Sequence, residues 1–193
     1  MKQILNVDST SDLTIISQRC NHFIQESNQH PLLKNLSIQY KDIHRVKARK
    51  RNLKNEFTES FNQAFDKISD LAQRAIFANG RNSFTVDKDP NFEPFYIFPL
   101  NGYKYMYSTE VEHSSLDYKQ VFEVMFEQFG EDKGKTIITD ILKFAYKQDC
   151  LAEGIEKGSE IILYNIPYYY SVRATSVPNY TQLLSNLSDF RYA

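Results

Sequence analysis

Tryptophan is absent from this 193-residue chain, and cysteine occurs only as Cys20 and Cys150. Two thiols in helix-patterned segments give neither a disulfide framework nor a metal-ligand spacing, so both are expected to be free. Long apolar runs are missing as well. No stretch approaches the roughly 20 residues needed to span a bilayer, and residues 1–6 lack the apolar segment of a secretory leader. The expectation is a chain made and kept in a cytoplasm, with no membrane partner. Glycine and proline number six each, and neither occurs from residue 41 to residue 79.

Catalytic signatures are equally scarce. There is no Gly-x-Ser-x-Gly elbow for a serine nucleophile. Gly130-Glu131-Asp132-Lys133-Gly134-Lys135-Thr136 resembles a phosphate-binding loop but has three residues between its glycines where that loop needs four. It also follows a helical stretch, not a strand, so it reads as a helix–helix connector. Glu110 and Glu112 would share one face of an extended segment, as two carboxylate ligands should, with His113 and Asp117 nearby. Glu110, Glu112 and His113 are therefore the first candidates for a metal-dependent enzyme acting on nucleic acid. The plainer reading is a solvated strand end leading into a helix cap. No cofactor is implied.

What the chain does have is aromatic and charge-polarised. Phenylalanine (14) and tyrosine (13) outweigh a modest aliphatic content, and large rings can fill a core in their place. The preference for Asn, Lys, Ile, Tyr and Phe is a habit of AT-rich genomes, many bacteriophages among them. The formal net charge is only −1. Residues 41–54, however, carry Lys41, Arg45, Lys47, Arg49, Lys50, Arg51 and Lys54 against the single acid Asp42, a sum of +6, which leaves −7 for the remaining 179 residues. Such a patch on an acidic body speaks of partners, not of fold.

Spacing predicts the elements. Leu13, Ile16, Cys20 and Phe23 form a helical stripe after the capping cluster at residues 8–12. Pro31 could open a short helix with Leu32, Leu33 and Leu36. Ile43, Val46, Lys50, Leu53, Phe57, Phe61, Ala64, Ile68, Leu71 and Ala75 follow steps of three and four, which predicts one long helix over 41–79 whose first half is basic nearly all round. Residues 95–98 and 103–107 flank Asn101-Gly102, a strong hairpin signal. Two amphipathic helices follow: one carries Tyr118, Phe122, Met125, Phe126 and Phe129, the other Ile137, Ile138, Ile141 and Leu142. Residues 160–166 and 168–173 read as strands. Asn179 could cap a last helix with Leu183, Leu184 and Leu187.

The resulting expectation is an α+β fold: N-terminal helices over 1–80, including the long basic-to-amphipathic one, then a small antiparallel sheet with two packed helices over 81–193, the two parts together forming one unit. Functionally it is a non-enzymatic assembly or interaction subunit, such as a component of a phage particle. Its contacts would be made by Arg45, Lys47, Arg49, Lys50, Arg51 and Lys54 together with Tyr168, Tyr169 and Tyr170. The partner is protein, or another copy of the chain. The alternative is nucleic acid along residues 41–54, with tyrosines stacking on bases.

Overall fold

A computed structural model describes residues 7–48, 56–68, 71, 75–80, 89–111, 114–177 and 179–189. The class is mixed α+β. Seven strands form one sheet in the order β2-β7-β4-β1-β3-β6-β5, and every pairing is antiparallel. The strands are β1 (Leu33–Ser37), β2 (Ile43–Lys47), β3 (Ile76–Asn79), β4 (Phe92–Pro99), β5 (Lys104–Tyr107), β6 (Glu160–Tyr164) and β7 (Tyr168–Arg173). The described helices are α1 (Val7–Arg19), α2 (Asn21–Glu26), α3 (Glu56–Ala64), α4 (Ser114–Phe129), α5 (Glu131–Ala145), α6 (Leu151–Glu156) and α7 (Tyr180–Asp189).

The long helix predicted over 41–79 is not formed. Its first part is the edge strand β2, its middle keeps one short helix, α3, and its end is β3, a strand interior to the sheet. The three- and four-residue steps fit a helix, but Ile43 and Val46 are β-branched, and β2 finds a ladder of β-branched and aromatic partners in β7. Pairing with a segment so distant in sequence overrides local spacing. The short helix expected after Pro31 is likewise a strand: Asn28 and Gln29 take positive φ, the chain turns, and Leu33–Ser37 pairs with β4. Strands from both sides of residue 80 therefore share one sheet.

The hairpin expectation also changes. Asn101-Gly102 does form a tight turn, with Gly102 at φ +88° and the Tyr103 N–H donating to the Leu100 carbonyl at 3.1 Å. Yet β4 and β5 do not pair. Both edges of β4 are taken, by β1 and β7, so β5 crosses to the far edge beside β6. The turn is held by α1 and α2: the Asn101 side chain donates to Asn21 Oδ1 at 2.6 Å and accepts from the His22 N–H at 3.1 Å.

Two cores lie on the sheet. On β6, Ile161 and Leu163 point into one core, with Tyr107, Leu151 and Ile155, while Ile162 and Tyr164 point into the other. Burial on both faces explains why this strand is apolar almost throughout. The first core takes α1, α2, α6 and α7, and all of Leu13, Ile16, Cys20 and Phe23 are buried in it, as the stripe predicts. The second is a helical layer of α3, α4 and α5 built on Phe61, Phe122, Ile138 and Leu142. Ile141 and Phe129, expected to be inside, are exposed. Gly130, at φ +77°, is the whole link between α4 and α5: residues 131–136, read from the sequence as part of a connector, form the first turns of α5 instead. Asn179 accepts the Gln182 N–H at 2.7 Å and caps α7.

Candidate functional site

The fold joins the two features that the sequence singles out separately. β2 and β7 run antiparallel with Arg45 opposite Tyr170 and Lys47 opposite Tyr168. Alternation along a strand then puts Arg45, Lys47, Tyr168 and Tyr170 on one face. The Arg45 guanidinium lies 5.1 Å from the centre of the Tyr168 ring. Arg19, from the end of α1, donates to the Tyr168 hydroxyl at 3.2 Å. Nothing in the sequence marks Arg19 for this place, since it stands alone at a helix end.

The members of the tyrosine run differ in exposure. Tyr169 and Tyr170 are only 3% and 5% exposed and belong to the core, whereas Tyr168 is half-buried and reaches the surface. Burial, then the neighbouring Tyr168, raises the Tyr170 hydroxyl above the usual phenol range, while Arg19 and Arg45 pull it back. Tyr168 meets Tyr170 edge-on at 5.9 Å. Of the basic run, Lys41, Arg45 and Lys47 are exposed. Arg49, Lys50, Arg51 and Lys54 lie outside the described residues.

The backbone of β2 is as informative as its side chains. The Arg173 N–H donates to the Asp42 carbonyl at 2.7 Å, and the Ala48 N–H donates to the Pro167 carbonyl at 2.9 Å. In an antiparallel ladder this phase turns residues 42, 44, 46 and 48 toward β7. The N–H and C=O groups of Ile43, Arg45 and Lys47 then point away from the sheet, and β2 is its terminal strand. The approach to β2 is braced by Arg173, whose Nε donates to Asp42 at 2.8 Å. Its other nitrogens pair with Glu93 and donate to the Ile38 and Tyr40 carbonyls, and the guanidinium sits 5.0 Å from the Phe95 ring centre. His44 stacks on Tyr40 at 4.6 Å, and burial with Lys41 nearby lowers its pKa.

The remaining candidates fall elsewhere. Tyr107 is fully buried with its hydroxyl 3.1 Å from Asp149 and 3.3 Å from Glu153, and Tyr103 bonds Glu26. Burial first, and Glu26 next, push the Tyr105 hydroxyl up to about 12. These rings are tied to carboxylates, which repel a polyanion. Burial pushes the Cys20 thiol up to about 12, far from a reactive thiolate, and both cysteines are free. Glu110 is exposed in the turn after β5, and Glu112 and His113 lie outside the described residues. Glu131 pairs with Lys135 at 2.7 Å on the surface of α5. Among the described residues no group of three or more His, Cys, Asp or Glu side chains could hold a metal ion, and no helix is long and apolar enough to cross a membrane.

Comparison with protein-family models, with curated proteins and with solved structures gave no match.

Proposed function

We propose that the chain is a non-enzymatic interaction subunit of a larger assembly, and that its β2 edge binds an acidic polypeptide segment in extended conformation. The observation that carries this reading is the coincidence, at Arg45 and Lys47, of outward backbone groups with exposed cationic side chains. An added strand satisfies the outward N–H and C=O groups and gains affinity from main-chain hydrogen bonds. Its alternate side chains fall beside Arg45 and Lys47, so acids at every second position are favoured over basic or apolar residues. Positive charge on an edge also discourages the edges of two copies from pairing with each other.

Nucleic acid is the weaker reading for a geometric reason. Arg45 already covers one face of the Tyr168 ring, and Tyr170 lies against it edge-on, so little of its π-surface is left for a base.

Amide hydrogen exchange tests the proposal. In the free chain the amides of Ile43, Arg45 and Lys47 should exchange quickly while those of His44 and Val46 should be protected by β7. A peptide alternating glutamate and valine should protect the first set. Protection of none of them, or an oligonucleotide of equal charge binding more tightly than the peptide, would overturn the reading.

A further inference from the structure

A hollow of about 490 Å³ opens between the turns that follow α3 and the corner where β6 leads into β7. Strand register builds its floor. Lys104 stands directly opposite Tyr164 on the β5–β6 ladder, so the two side chains share one face of the sheet. On the other side of β6, Ile76 opposite Leu163 brings Ala75 level with Tyr164. Lys67, Ile68 and Leu71 supply the wall, where the Ile68 N–H donates to the Phe65 carbonyl at 2.8 Å and the Ala75 N–H to the Leu71 carbonyl at 2.8 Å. Asn165, at φ +66°, fixes the rim: its side chain donates to the Gly102 carbonyl at 3.0 Å and ties the β6–β7 turn to the start of β5.

The charge of the lining is of one sign. Lys67 and Lys104 are exposed, and among the described residues neither pairs with a carboxylate and no acid lines the hollow. Two uncompensated ammonium groups on one hollow repel each other, and an anion between them relieves the repulsion. Tyr164, only 9% exposed, has no hydrogen-bond partner for its hydroxyl among the described residues, whereas a buried phenol ordinarily finds one. Burial raises that hydroxyl above the usual phenol range, so it keeps its proton and can donate it to an anion. The rest of the lining is apolar: Leu71 and Ala75 are buried, Ile68 and Ile166 half-buried. We infer that this hollow binds a small organic acid, its carboxylate between Lys67 and Lys104 and hydrogen-bonded by Tyr164, its apolar body against Ile68, Leu71 and Ile166. A hollow of this size takes one small molecule, and inorganic phosphate would leave the apolar side unused. The site shares no residue with the β2 edge and stands or falls separately from the function proposed there.

Calorimetric titration of the full chain with 4-phenylbutyrate tests the inference, with 4-phenylbutan-1-ol and inorganic phosphate as the controls that lack the charge or the apolar body. The acid should bind saturably with a Kd below about 1 mM, and the alcohol and phosphate each at least about tenfold more weakly. Lys67→Gln and Lys104→Gln should each weaken the acid, the double replacement should abolish its binding, and the circular-dichroism spectrum should not change, because both side chains are exposed. Tyr164→Phe should cost about tenfold through the lost hydrogen bond to a charged group. Should Tyr164→Phe unfold, the two lysine variants still decide the matter. No saturable binding of the acid to the wild type, equal binding of acid and alcohol, phosphate binding as tightly as the acid, or binding that survives the double lysine replacement would overturn the proposal.

Discussion

The guanidinium of Arg45 lies 5.1 Å from the centre of the Tyr168 ring, on neighbouring strands that are far apart in sequence. That contact joins the basic run to the tyrosine run. At a surface site it is worth about 0.5–1 kcal/mol. A double-mutant cycle with Arg45→Ala and Tyr168→Ala, followed by urea denaturation, should return a coupling of that size. A coupling of zero would mean that the two side chains do not meet in solution.

Arg173 is the ionic anchor beneath the edge strand. Its side chain is 15% exposed and gathers Asp42, Glu93 and two backbone carbonyls. Arg173→Ala leaves the mostly buried Glu93 without its cation and should cost about 3 kcal/mol. Asp42→Asn removes only the solvated partner and should cost less than about 1 kcal/mol. Chemical denaturation of the two variants checks the order, and equal losses would contradict it.

The helical layer should be most sensitive at Phe61, which has no exposed surface and packs against Phe65 and Tyr146. Phe61→Ala should cost about 3–5 kcal/mol. Phe126, only partly buried at the edge of this core, should cost clearly less when truncated. The same denaturation midpoints decide the ranking.

Acid should loosen the edge strand through His44. Its folded pKa lies below the ordinary value because of burial and then Lys41, with Asp12 opposing. A depressed folded pKa means that the unfolded chain binds the proton more tightly. The stabilisation is therefore fully present above about pH 6.5 and is lost as pH falls from there through the folded value. His44→Gln should flatten that part of the stability profile, and an unchanged profile would show that another group controls it.

The amphipathic helices, the strands read at 160–166 and 168–173 and the free thiols were legible because each follows from local pattern, although the first strand ends at Tyr164, before Asn165 turns at φ +66°. β2 and β3 were not. Four residues such as Ile76–Asn79 carry too little alternation to override the helical spacing around them, and what makes them strands is β6 and β1 on either side. The turn at Asn101-Gly102 was legible but its consequence was not, because sequence does not reveal that both edges of β4 are already occupied. Arg45, Lys47 and Tyr168 were readable as residues to watch. Their meeting on one edge, with Arg19 beside them, depends on strand order alone.

Titration of a fluorescein-labelled peptide of alternating glutamate and valine, followed by fluorescence anisotropy, reads out strand binding at the β2 edge. Saturable binding to the wild type is expected, with a Kd below about 1 mM and weakened by salt. Arg45→Glu with Lys47→Glu should abolish it. Arg45→Pro should also abolish it, since that substitution removes an outward N–H without breaking a bond to β7. Equal binding by the wild type and the charge-reversed chain, or no binding by the wild type at low salt, would contradict the claim that the β2 edge recognises an acidic strand.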